Sequence, residues 1–142
     1  MGIVLKTPRQ NFRTYEFEIS ASNQIQITSI PAGNKFCYRL EAIKDLYLWL
    51  KNEKKGEWVY LGAKNETEVP TPGIVEEWAR SLDDPLNRFY GVTPGLKGRF
   101  ATFVPPILEY MGLVEIEHNH INNRIRAITE VSGQVSTRHN LP

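Results

Sequence analysis

The stretch TPGLKGRFATFVPPILEYMGLVEIEHNHINNRIRAI, residues 93–128, decides the fold of this chain. It begins with Thr93-Pro94, a pair typical of a helix start. Threonine can accept a hydrogen bond from an unpaired backbone N–H, and proline has no N–H to lose. An apolar helical run then leads to Gly112-Leu113-Val114, a polar turn and a basic return strand. The stretch therefore predicts a helix followed by a β-hairpin.

The helix predicted from Thr93 has two unlike faces. At about 100° per residue, its large apolar side chains gather on one side, which we expect to be buried. The opposite side and its flanks hold Lys97, Arg99, Thr102, Pro105, Pro106 and Glu109. An interior proline removes a hydrogen bond and costs about 3 kcal/mol or more. We therefore expect one helix to end near Thr102 and a second to start at Pro105 or Pro106.

The chain before this stretch predicts three more elements in the order helix, strand, helix. Residues 40–54 carry a helical apolar stripe that ends before Gly56, and residues 58–61 have the composition of a short strand. Thr71-Pro72-Gly73 repeats the helix-start signal. Glu76, in the helix that follows, is expected to be a surface charge. The full order is helix, strand, helix, helix, hairpin.

The first 39 residues predict a small antiparallel β layer. Residues 15–19 and 25–29 alternate apolar and polar side chains, with a Ser- and Asn-containing turn between them, which indicates a hairpin. Residues 36–39 predict a third strand. A lone hairpin is only marginally stable in water. We therefore expect this layer to pack on the helical part of the chain or on another subunit.

The predicted order of helices and hairpin is that of a winged helix. The phrase from Ile107 to Arg126 has Leu-Glu near the helix end, then Gly-Leu-Val and an Asn- and Arg-rich turn. It resembles the helix-to-wing junction of MarR-like bacterial regulators. The resemblance implies an α+β fold with a winged-helix-like domain at residues 40–130. The β layer at 1–39, which lies outside the resemblance, precedes this domain, and a tail at 131–142 follows it.

Two functions are compatible with this prediction. The resemblance implies a non-enzymatic regulatory protein that binds duplex DNA through the second helix-start segment and the wing. The expected contacts are Lys97, Arg99, Thr102, Asn122, Asn123, Arg124 and Arg126. The alternative is a winged-helix module that binds a protein partner or a second copy instead of DNA. Its contact surface would be the N-terminal hairpin or the loop at 83–92.

The net charge of the chain and its distribution along the sequence weaken the DNA-binding hypothesis. The 142 residues carry a net charge of +1, so the chain as a whole has no electrostatic case for nucleic acid. Residues 1–39 have a balance of +3, residues 40–84 of −4 and residues 85–142 of +2. A continuous positive strip from Lys97 to Arg126 would favour DNA. Its interruption by three glutamates, Glu109, Glu115 and Glu117, would favour a protein partner.

Several function classes receive no support from the sequence. The chain lacks a Walker loop, a His-Glu-x-x-His motif and a Gly-x-Ser-x-Gly motif. Cys37 is the single cysteine and cannot form an intrachain disulfide, which suits the cytoplasm. His118 and His120 alone are a weak metal signal. No apolar run approaches the roughly 20 residues of a membrane span. We therefore expect no cofactor, metal site, membrane association or catalysis.

Overall fold

The computed structural model describes residues 2–62, 73–79 and 99–128. These ranges form an α+β structure with two antiparallel sheets and several short helices. Four sequence predictions lie outside the described residues. They are Lys97, the 83–92 loop, the Thr93-Pro94 helix start and the 131–142 tail.

The first sheet is a four-stranded antiparallel meander. Its strands are β1 (Ile3–Lys6), β2 (Thr14–Ile19), β3 (Gln24–Ile30) and β4 (Lys35–Arg39), in that spatial order. The predicted hairpin and third strand are confirmed as β2, β3 and β4. The sequence did not predict β1, because three of its four side chains are exposed and no buried-polar alternation marks it.

The rest of the described chain contains the helices and the second sheet. Its elements are α1 (Glu41–Leu48), a π-helical turn (Trp49–Glu53), β5 (Val59–Tyr60), α2 (Val75–Trp78), α3 (Phe100–Phe103), α4 (Pro105–Tyr110), β6 (Val114–Ile116) and β7 (Arg124–Ala127). The short strand β5 pairs with β7, which pairs with β6. The predicted helix at 40–54, the strand at 58–61 and the final hairpin are therefore confirmed.

The described helices α2 and α3 do not begin at the Thr-Pro-Gly sequences. The N-cap of α2 is Ile74 rather than Thr71, because Gly73 has a φ of 84° and cannot belong to a right-handed helix. The N-cap of α3 is Arg99, whose φ of 61° is also left-handed. A continuous helix from the second Thr-Pro-Gly sequence through Thr102 is therefore excluded.

The predicted break at the two prolines is confirmed. The helix α3 ends at Phe103 and α4 begins at Pro105, although the backbone of Val104 between them stays helical. The N–H of Ile107 bonds to the Val104 carbonyl at 3.0 Å, three residues back. The Phe103 carbonyl instead accepts a hydrogen bond from the hydroxyl of Tyr15 in β2 at 2.7 Å. A side chain of the first sheet thus satisfies the carbonyl at the break.

The first sheet packs directly on α3 and α4. The rings of Tyr15 and Phe36 lie 5.1 and 4.7 Å from that of Phe103, and Phe17 lies 6.4 Å from Tyr110. The two prolines that begin α4, which we expected on an outward face, are buried because the break turns them toward the core. One core cluster includes residues of both the first sheet and the helical part. The first sheet and the helical part therefore share one core.

Glu76 is buried, contrary to the prediction of a surface charge. Its carboxylate accepts a hydrogen bond from the N–H of Ala101 at 2.7 Å. This N–H belongs to the first turn of α3, where backbone donors have no partner within the helix. Next to Glu76 on α2, Trp78 stacks on Trp49 at 5.1 Å and contacts Phe100. The carboxylate and the indole together link α2 to the π-helical turn and to α3.

Candidate functional site

The final hairpin carries two arginines that the sequence predicted to bind DNA. The strand register places Arg126 opposite Glu115, and the guanidinium Nε donates to the carboxylate at 2.8 Å. Arg124 donates to both carboxylate oxygens of Glu117, at 3.0 and 2.6 Å. These hydrogen bonds lower the pKa of Glu117 and raise the pKa of Arg124. Both arginines are therefore paired within the hairpin itself.

The rings of Trp58, just before β5, and of Tyr60 in β5 contact the two arginines. The guanidinium carbons of Arg126 and Arg124 lie 4.5 and 5.2 Å from the ring centroid of Trp58, and Arg124 lies 5.9 Å from that of Tyr60. Each guanidinium is thus held between a carboxylate and an indole, which is a favourable position for a cation. The glutamates interrupt the positive strip that the DNA hypothesis required of the wing.

The side chain of His118 links the hairpin to the N-terminal part of the chain. The Nδ1 of His118 lies 2.9 Å from the carbonyl of Pro8, and its Nε2 lies 2.7 Å from a carboxylate oxygen of Glu109. Both partners are acceptors, so the ring satisfies both only when each nitrogen carries a hydrogen. The contact joins three separate elements: the end of β6, the helix α4 and the loop at 7–13 that connects β1 to β2.

The two asparagines that were predicted to contact DNA lie in different environments in the hairpin turn. Asn123 is buried, and its side-chain amide accepts from the N–H and donates to the carbonyl of Asn119. The same carbonyl accepts a hydrogen bond from the N–H of Gln10 at 2.8 Å. Asn122 is exposed, with a φ of 59°. The side chain of Asn123 therefore closes the turn, and Asn122 is the one available to a ligand.

A cleft of about 1290 Å³ lies between the 7–13 loop, the first sheet, α3 and the turn of the hairpin. It brings together four of the residues predicted as nucleic-acid contacts: Arg99, Thr102, Asn122 and Asn123. Arg124 and Arg126 are not among its described lining residues. The predicted site is thus divided between the cleft and the outward face of the hairpin.

The cleft is positive along the residues that the structure describes. Three arginines line it, Arg9, Arg13 and Arg99, and none of the described lining residues is aspartate or glutamate. By contrast, a smaller concavity of about 480 Å³ beside β5 contains Glu53 and Glu57 together with lysines. The large cleft is therefore suited to an anionic ligand, and the small one has no single sign of charge.

The sequence did not single out Arg9 and Arg13. They lie in the 7–13 loop, whose ends are held by reciprocal hydrogen bonds between Thr7 and Arg13. Neither arginine forms an ion pair with any residue in the described ranges. The one available signal was the balance of +3 in residues 1–39, and the fold carries that charge to the side of α3.

Other kinds of site are weakly represented in the described ranges. Burial raises the pKa of the Cys37 thiol, which disfavours the reactive thiolate. No group of three or more histidine, cysteine, aspartate or glutamate side chains among the described residues could hold a metal ion. Within the same residues, no helix has the length and apolar character needed to cross a membrane.

The model of a protein family of unknown function, DUF6855, matches residues 2–128. The chain belongs to this family. No curated protein and no solved structure matches the chain. The DUF6855 match extends over the first sheet as well as the helices and the hairpin. The arginines of the 7–13 loop and those of the hairpin therefore lie within the same family region.

Proposed function

We propose that this protein binds nucleic acid through the arginine-lined cleft and does not catalyse a reaction. The observation that carries the proposal is the charge of the cleft, where Arg9 and Arg13 are accompanied by no acidic side chain among the described lining residues. A concave surface of one sign concentrates the electrostatic field and attracts oppositely charged ligands. Guanidinium groups also match the geometry of phosphate oxygens, to which they donate paired hydrogen bonds.

The winged-helix interpretation of residues 40–130 belongs to this proposal. The order from α1 to β7 supports it, as does the sheet that β5 forms with the final hairpin. The contact surface, however, differs from the one expected from sequence. The helix α3 has four residues, and the first sheet covers α3 and α4. We therefore assign the nucleic-acid contact to the cleft.

Neutral side chains of the cleft complement its arginines. Thr102 lies on α3 in the lining, and Asn122 projects from the turn of the hairpin. Hydroxyl and amide groups commonly donate to phosphate and sugar oxygens alongside arginine, and such contacts fix the position of a strand without reading its sequence. We therefore expect binding that depends strongly on salt and weakly on base sequence.

Charge reversal in the cleft tests this proposal. The double variant Arg9→Glu/Arg13→Glu is compared with Lys44→Glu/Lys51→Glu, which has the same net charge but alters exposed lysines outside the described cleft lining. Binding of labelled oligonucleotides is followed by fluorescence anisotropy at low salt. We expect the cleft variant to lose about tenfold or more in affinity, because two phosphate contacts become repulsive.

The control variant should stay within about threefold of the wild type, since its charges lie away from the bound phosphates and are screened over about 10 Å at 0.1 M salt. An equal loss in both variants would contradict the assignment to the cleft. Absence of any oligonucleotide binding by the wild-type protein at low salt would refute the function itself.

A protein-interaction module is the second candidate, and the hairpin favours it. Glu115 and Glu117 neutralise Arg126 and Arg124, so the wing offers no continuous positive strip. This candidate predicts one specific protein partner and no affinity for nucleic acid. A pull-down that returns a stoichiometric partner, together with the absence of oligonucleotide binding, would favour it over the first.

A further inference from the structure

We infer that the ligand of the cleft is an unpaired nucleic-acid strand rather than a duplex, an inference that rests on the proposed function. The first reason is the position of the helices. A protein that reads a duplex commonly inserts a protruding helix into the major groove, which is about 12 Å wide. Here Thr102 and Phe103 of α3 line the cleft itself, and the ring of Phe36 packs on Phe103. The helix is part of a concave surface and has no protruding face for a groove.

The second reason is that two walls of the cleft are tied to each other. The N–H of Gln10 in the 7–13 loop donates to the carbonyl of Asn119 in the hairpin turn. His118 contacts the carbonyl of Pro8 in the same loop. The walls cannot separate here without loss of both contacts. A duplex is stiff, with a persistence length of about 50 nm, so it does not fold into a fixed concavity. An unpaired strand bends at each nucleotide and can follow one.

The third reason is an aromatic side chain in the lining. Tyr60 stands at the rim of the cleft: it is 51% exposed and is one of the lining residues, while its ring also lies 5.9 Å from the guanidinium of Arg124 on the outward face of the hairpin. Unpaired bases stack on exposed aromatic rings, whereas bases inside a duplex have their faces covered by their neighbours. The volume of about 1290 Å³ also exceeds the roughly 300–1,000 Å³ of small-molecule pockets. The cleft therefore has room for several nucleotides and a ring on which one base can stack.

A comparison of three labelled probes tests the inference. Oligo-dT and oligo-U of about 12 nucleotides, within the usual range of single-strand sites, are compared with a duplex of the same length. Affinities are measured by anisotropy in one low-salt buffer. We expect at least one single strand to bind about tenfold or more tightly than the duplex. The ratio of dT to U affinity then separates DNA from RNA as the preferred source of the strand.

The outcomes of this comparison are distinct. A duplex that binds as tightly as the better single strand, or more tightly, would overturn the inference and leave the proposed function standing. No binding of any probe would refute the proposed function as well.

Variants of Tyr60 supply the second measurement. Tyr60→Ala should weaken single-strand binding by about fivefold or more, because stacking of one base contributes roughly that much or more. Tyr60→Phe keeps the ring and should bind like the wild type. Tyr110→Ala removes an equally exposed ring outside the described cleft lining and serves as the control. Equal affinities for Tyr60→Ala and the wild type would contradict stacking on this ring.

Discussion

Replacement of Tyr15 by phenylalanine should measure how much the hydrogen bond between the first sheet and the proline break contributes to stability. The hydroxyl of Tyr15 donates to the Phe103 carbonyl at 2.7 Å, and the two aromatic rings pack at 5.1 Å. Phenylalanine preserves the ring and removes the donor. A buried carbonyl left without its partner costs about 1–3 kcal/mol. We therefore expect the free energy of unfolding to fall by this amount in Tyr15→Phe.

Urea denaturation followed by tryptophan fluorescence measures this loss. With an m value of about 2 kcal/mol/M, the midpoint should fall by about 0.5–1.5 M while m stays unchanged. Tyr110→Phe is the control, since its ring is 58% exposed and it should change stability by less than about 0.5 kcal/mol. A loss in Tyr15→Phe no larger than in this control would show that the Phe103 carbonyl does not depend on Tyr15.

The same variant has a signature at alkaline pH. Burial, with a smaller contribution from the charge of Glu109, raises the pKa of Tyr15 well above its ordinary value. The unfolded chain therefore releases this proton above about pH 10, whereas the folded protein retains it. The stability that is present below that pH is lost as the pH rises. Tyr15→Phe lacks this group and does not lose stability in this way. The difference in free energy of unfolding between the wild type and Tyr15→Phe should therefore become smaller above pH 10.

Three further predictions follow from other contacts. Glu76→Ala should destabilise the protein by about 1–3 kcal/mol in urea, because the buried N–H of Ala101 loses its acceptor, and Glu76→Gln should lose less. Arg124→Gln should raise the pKa of Glu117 in an NMR titration, because the hydrogen bonds from Arg124 lower it; an unchanged pKa would contradict the pairing. His118→Ala should weaken oligonucleotide binding about twofold to tenfold, since the 7–13 loop loses a tether, and unchanged anisotropy titrations would contradict this.

Local patterns predicted much of the fold. The alternation at 15–19 and 25–29, the stripe at 40–54 and the glycine exit before the hairpin each correspond to an observed element. The proline pair also predicted the break between α3 and α4, because proline lacks the N–H that a helix interior requires. In each case the signal lies in neighbouring residues, so no knowledge of tertiary structure was needed.

The errors arose where distant segments meet. Glu76 looked like surface charge because its partner, the N–H of Ala101, is 25 residues away. The prolines of α4 were expected outside because no local pattern indicates that the first sheet covers this particular helix. Arg99 was placed inside a helix, but its backbone is left-handed, and α3 begins only after it. Tertiary packing decided all three positions.

Only part of the candidate site could be predicted from the sequence. The sequence identified Arg99, Thr102 and Asn122, which the cleft brings together. It also selected the hairpin arginines, whose carboxylate partners follow from cross-strand register and could have been anticipated from the hairpin alone. Arg9 and Arg13 could not be selected, because a loop far away in sequence reaches the cleft only when the first sheet docks.

The most direct test of the cleft as a nucleic-acid site is an NMR titration of the ¹⁵N-labelled protein with oligo-dT. Binding in the cleft should change the amide shifts of the 7–13 loop, Tyr60, Thr102 and the residues around Asn122, and these changes should saturate together. Shifts confined to the outward face of the hairpin, around Arg126, would contradict the assignment to the cleft. A spectrum that does not respond to oligo-dT or oligo-U would contradict nucleic-acid binding by this protein.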